Sequence, residues 1–172
     1  MSSRPSVSGP VITPAAPKLS PRRFYRIVAI AETVTWTLLI IGMLLKYVAK
    51  AGGLPVLIAG SLHGLVFISY GLTAVLVGVN QRWNTRLIVA AVLTAVVPYA
   101  TIPFDNRLER RQLLEGGWRT TATDDPRDHT AVSRLLRWML GRPAVLTGVF
   151  VALVVVIMVT LLLIGPPGGR GN

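Results

Sequence analysis

Four long apolar runs dominate this chain: Phe24–Tyr47, Leu54–Val79, Leu87–Phe104 and Ala144–Ile164. A helix rises about 1.5 Å per residue, so crossing a hydrocarbon core of about 30 Å takes roughly 20 apolar residues. Ile27–Leu45 carries one charge, Glu32, and Leu54–Val79 has His63 as its only ionisable group. The third run is shorter and holds Pro98 and Pro103, which predicts a kinked span packed among its neighbours. Val145–Ile164 is almost pure Val, Leu and Ile. Only 15% of residues are charged and 52% are hydrophobic, too little polar surface to wrap four such helices in water. A soluble globule and a disordered chain are both excluded. The expected fold is all-α and polytopic: a three-helix transmembrane unit over residues 22–111 with a fourth transmembrane helix appended over residues 143–164.

The 18 basic residues against 7 acidic ones sit mainly in tails and connections, where they flank spans rather than build a nucleic-acid surface. The lipid bilayer is the expected partner, and no nucleic-acid partner is expected. Phe24, Tyr25, Trp83 and Trp138 stand at run ends and read as interfacial anchors, as do Lys46 and Tyr47. Four crossings put both termini on one side. Lys and Arg then total eight on that side and ten on the other, close to a tie. The first span usually dominates, and its more basic N-terminal flank places both termini in the cytoplasm. Residues 1–21, rich in Ser and Pro, read as a disordered tail without a signal-peptide core, and residues 165–172 as a flexible end.

Between the third and fourth runs lies a polar connection with six of the seven acidic residues. Asn106–Leu114 reads as an extension of the third helix and Gly116–Pro126 as a loop. Thr130–Leu140 places Val132, Leu135, Leu136 and Met139 on one face with Arg134 and Arg137 opposite, the pattern of an amphipathic helix on the membrane surface. Asp124, Asp125, Asp128 and His129 follow no helix-borne ligand spacing, so a solvated loop is expected there and no metal site.

A carboxylate deep in a bilayer costs about 2.5–3.5 kcal/mol on insertion scales, so Glu32 must face protein or water, or be neutral. Thr35 follows on its face. His63 and Tyr70 share a stripe of the second run, and Thr94, Tyr99 and Thr101 are the polar positions of the third. Antiparallel folding sets Tyr70 beside Thr94 and His63 beside Tyr99 and Thr101. It keeps Glu32 from bonding His63 directly and offers Tyr70 or Thr94 as its partner. These seven residues are the candidate intramembrane site. Gly60, Gly64, Gly71 and Gly78 form a small-residue stripe that predicts close helix packing, with a second copy or another membrane protein as the partner of the second helix. No phosphate loop, catalytic triad, cofactor motif or helical metal motif is present, so no catalytic residues and no cofactor are expected.

Ala31-Glu32, Met43-Leu44-Leu45-Lys46-Tyr47, His63-Gly64 with Phe67, and Pro98-Tyr99-Ala100-Thr101 resemble the domain-of-unknown-function 3817 family of small bacterial integral membrane proteins. The similarity runs over about residues 22–111. This chain has Thr33, Leu44 and Ala100 where the family pattern has Gly, Pro and Gly. The resemblance implies a bacterial cell-membrane location and a three-helix unit, and it draws attention to Glu32, Lys46 and His63. The function expected first is a non-enzymatic membrane subunit or accessory protein. A small ion- or proton-coupled transporter using Glu32 and His63 comes second, and an intramembrane lipid-acting enzyme third.

Overall fold

The computed structural model describes residues 19–164. The expected flexible end, residues 165–172, and all but the last residues of the expected disordered tail lie outside them. Helix α1 (Pro21–Tyr47) begins inside that tail segment. The Ser20 hydroxyl accepts the Arg23 amide at 3.3 Å, and Pro21 takes the first helical position, where its missing N–H leaves nothing unpaired. Helix α2 (Leu54–Asn80) runs antiparallel to it, each 27 residues long. The pair packs tightly at Gly42, where an added Cβ would lie 3.1 Å from both the Pro55 carbonyl oxygen and the Val56 Cα.

The third apolar run departs from the expected kinked span. It forms two short helices, α3 (Thr85–Thr94) and α4 (Thr101–Arg110), that point in opposite directions. Helix α3 climbs along α2, with Ile88 against Gly78, Val92 against Gly71 and the Thr94 hydroxyl 3.1 Å from that of Tyr70. Helix α4 descends along α1. The Thr101 and Thr33 hydroxyls are 3.1 Å apart, and at its foot Glu109 accepts from Arg22 and Arg26, both at 2.9 Å. The run enters and leaves on one side as a re-entrant hairpin. Ten residues of α3 rise about 15 Å, half of a core of about 30 Å.

The reversal has a local cause. Pro98 supplies no N–H to continue α3, and Tyr99 adopts a left-handed φ of 63°. Tight turns at the tip satisfy the backbone, with Val97 N–H donating to Thr94 at 3.2 Å and Ala100 N–H to Val97 at 3.1 Å. Trp36 Nε1 donates to the Ala95 carbonyl at 3.1 Å. Irregular backbone at membrane depth is stable where its polar groups are paired in this way. Instead of extending the third helix outward, the polar sequence from Asp105 on returns the chain to the side it came from.

Residues 111–130 fold beneath the hairpin. Trp83 Nε1 donates to the Leu113 carbonyl and Trp118 Nε1 to that of Leu19, both at 2.8 Å. Asn80 donates to Gly117 at 3.2 Å and accepts the Arg119 amide at 2.9 Å. A 3-10 turn (Pro126–His129) leads to α5 (Ala131–Leu140), capped by Thr130, and to α6 (Pro143–Ile164). Phe150 of α6 meets Phe24 at the foot of α1, with ring centroids 6.2 Å apart, and Met158 reaches Gly64 farther along.

Among the described residues, helices α1, α2 and α6 are the three that are long and apolar enough to cross a membrane. With the hairpin returning, Pro21 and Ile164 lie at opposite ends of the bundle, whereas the four full crossings expected would have brought them to the same end. Thirteen of the fifteen Lys and Arg among the described residues gather at the Pro21 end, and Lys46 and Lys50 stand at the other.

Candidate functional site

Glu32 is fully buried between α1 and the tip of the hairpin. The Thr101 hydroxyl donates to its Oε2 at 2.9 Å, so neither Tyr70 nor Thr94 is its partner as the sequence register proposed. Glu32 Oε1 is buried with no hydrogen-bond partner. Thr33 links Thr101 to the Ala29 carbonyl, with both contacts at 3.1 Å. Two hydroxyl hydrogens serve these three contacts. An ionised Glu32 takes the Thr101 hydrogen and leaves the Thr101–Thr33 contact without one, whereas a protonated Glu32 would reverse the first bond and free the Thr101 hydrogen for Thr33.

The remaining polar residues form separate chains that end on helix carbonyls. The Thr35 hydroxyl bonds the Glu32 carbonyl at 2.9 Å and lies 3.1 Å from His63 Nδ1. Thr35 has one hydrogen, so making both bonds assigns the Nδ1 proton to His63. Trp36 and Phe67 flank that imidazole, at centroid distances of 4.5 and 6.0 Å. Tyr25 and Tyr70 join hydroxyls at 2.7 Å, Tyr70 reaches Thr94 at 3.1 Å, and Thr94 donates to Ala91 at 2.6 Å. Tyr99 meets Thr37 at 3.2 Å. Among the described residues no hydrogen bond joins His63 to Tyr99, Thr101 or Glu32, and its side-chain partner is Thr35.

Several residues took roles that their sequence positions hid. Tyr25 and Trp83, expected at the lipid interface, are core residues, and Tyr25 is fully buried. Thr33 and Thr37, four apart on α1, carry the contacts to α4 and the tip. That spacing was their only signal. Lys46 Nζ lies 5.0 Å from the Tyr47 ring centroid at the far end of α1, a position suited to an anchor. The glycines of α2 do not form one seam. Gly60 faces Leu39, Gly64 faces Met158, Gly71 faces Val92, and only Gly78 is tight, with Ile88 Cγ1 at 2.7 Å from an added Cβ.

The charged face has its own architecture. Asp128, expected in a solvated loop, is buried, and Arg82 Nε donates to its Oδ1 at 2.9 Å. Asp125 pairs with the same guanidinium at 3.1 Å. Arg82 holds the Asp128 carboxyl well below the usual range, with further donation from Thr123. Arg22 likewise depresses the carboxyl of Glu109. Among the described residues no group of three or more His, Asp or Glu is placed to hold a metal ion.

The family model described as a domain of unknown function, DUF3817, matches residues 22–110, more than half of the chain. The chain belongs to this family. The DUF3817 segment is α1, α2 and the re-entrant hairpin, and it ends with α4. A membrane protein of Streptomyces coelicolor is 42% identical over 84 residues, which cover 48% of this chain and 10% of that protein. The matched part thus spans about a tenth of the relative's length. No solved structure matches the chain.

Proposed function

We propose that this protein is a non-enzymatic membrane subunit, whose DUF3817 unit is a structural module that associates with a larger membrane protein. The observation carrying this reading is the occurrence of a 42% identical segment as one tenth of a much longer membrane chain. The module's geometry suits such insertion. Residues 22 and 109 are tied by an ion pair at one end, and α1 with α2 crosses twice. A unit that starts and ends on one side leaves the orientation of everything after it unchanged.

The polar cluster supports the same reading. Glu32 and Thr101 are fully buried and Thr35 and His63 nearly so, in short chains that close on backbone carbonyls rather than leading across the bilayer. In this reading a neutral Glu32 holds the hairpin tip against α1. The charge distribution orients the molecule in a bacterial cell membrane, with the thirteen-residue basic face and Pro21 in the cytoplasm and Ile164 outside.

The unpartnered Glu32 Oε1 favours the second reading, a proton- or cation-coupled transporter. Reconstitution in liposomes holding a pH-sensitive dye separates the two. The subunit reading expects wild-type vesicles to dissipate an imposed proton gradient no faster than empty ones. Dissipation that is faster and is abolished by Glu32→Gln would move the protein to the transporter class.

A further inference from the structure

A groove of about 190 Å³ lies between α2, α5 and α6, lined by apolar side chains that include Leu72, Leu76, Leu136, Met139, Phe150 and Leu153. It occupies the basic half of the bundle, where α5 forms one wall. One rim is open: Val132 and Leu135 belong to its lining yet remain more than half exposed. At about 30 Å³ for a water-sized group, the space holds a stretch of roughly six methylenes.

The charges around it are also uncommitted. Arg22, Arg26, Arg82 and Arg127 have carboxylate partners, whereas Arg134, Arg137 and Arg142 on and beside α5 have none among the described residues. Arg142 stands over the Trp138 ring, 4.6 Å from its centroid, at the junction of α5 and α6. An apolar slot beneath α5, whose opposite face carries Arg134 and Arg137 and whose end is followed by Arg142, is complementary to a molecule with a hydrocarbon tail under the helix and an anionic head above it. We propose that this groove binds one acyl chain of an anionic phospholipid whose phosphate lies among Arg134, Arg137 and Arg142. The site is separate from the Glu32 cluster and does not depend on the subunit reading.

The experiment uses the full chain purified in a mild detergent and offered phosphatidylglycerol or phosphatidylcholine with the same acyl chains, with retained lipid counted by native mass spectrometry. Wild type should retain phosphatidylglycerol at least threefold better than phosphatidylcholine. Leu136→Trp, which fills the slot, should lower retention of both lipids at least threefold. The surface triple variant Arg134→Gln, Arg137→Gln and Arg142→Gln should make the two lipids equal while leaving phosphatidylcholine retention unchanged. This triple variant keeps the proposal testable if Leu136→Trp fails to fold. Equal retention of both lipids by wild type would overturn the proposal, as would a triple variant that keeps the preference. A dimer cross-linked through Leu135→Cys with no lipid retained would assign the groove to a second copy and overturn it too.

Discussion

Adding one methyl group to α1 or to α2 at the same interface should change stability in opposite directions. At Gly42 the new Cβ would meet the Pro55 oxygen and the Val56 Cα at 3.1 Å and the Ala59 Cβ at 3.2 Å. Two of these are backbone atoms of α2, which cannot rotate away, and relaxed carbon contacts lie at about 3.5–4.0 Å. The helices must separate by several tenths of an ångström, with an overpacking cost of about 1–3 kcal/mol. Ala in place of a helical Gly returns at most about 1 kcal/mol of backbone entropy, so Gly42→Ala should destabilise by up to about 2 kcal/mol. At Gly60 the nearest atom is the flexible Leu39 Cδ1 at 3.8 Å, an ordinary contact. There the entropy gain stands alone, and Gly60→Ala should stabilise by up to about 1 kcal/mol. Thermal unfolding in one fixed detergent reads the difference, at about 2–4 °C per kcal/mol for a chain of this size. Equal shifts for the two variants, or a more stable Gly42→Ala, would refute the close approach.

Three further outcomes follow from the same contacts. Gly78→Ala should lose up to about 2 kcal/mol, by the same balance, because Ile88 and Trp83 are wedged against it, while Gly64→Ala and Gly71→Ala should be neutral or better in the same melts. Glu32→Leu should cost about 1–3 kcal/mol by stranding the Thr101 hydroxyl, whereas Glu32→Gln keeps a donor and should melt within about 1 kcal/mol of wild type. The Asp128 carboxyl is depressed in the fold, so its clamp on Arg82 is fully present above the ordinary aspartate pKa of about 3.9 and is lost as pH falls through the lower folded value. Amide exchange over residues 119–130, corrected for its intrinsic pH dependence, should stay unchanged from pH 8 to pH 5, and Asp128→Asn should speed it at neutral pH.

How far these features were legible in the sequence depends on their range. The first, second and fourth apolar runs and the amphipathic segment rest on composition and periodicity within one segment, and their helices are where those patterns place them. The third run has the same apolar character whether it crosses or turns back. Its direction is decided by Tyr99 in a left-handed conformation and by pairing Glu109 with Arg22 and Arg26, more than eighty residues away. Pro98 and the polar stretch from Asp105 marked a break without saying which way the chain left it. The same limit hid the role of Tyr25 and Trp83, since an aromatic at a run end looks alike whether it faces lipid or the core. Glu32 stood out because one carboxylate in an apolar run needs a partner. Assigning that partner to Thr101 required the hairpin to fold back.

The absence of native cysteine makes the re-entrant hairpin directly accessible to labelling. Single variants Arg23→Cys, Lys50→Cys, Asp124→Cys and Ile164→Cys, probed in intact cells with a membrane-impermeant maleimide before and after permeabilisation, report the side of each position. The fold requires Arg23→Cys and Asp124→Cys to label on one side and Lys50→Cys and Ile164→Cys on the other, and the proposed orientation makes the first pair the one that labels only after permeabilisation. Labelling of Asp124→Cys together with Lys50→Cys, on the side opposite Arg23→Cys, would show that the third run crosses and would contradict the fold described.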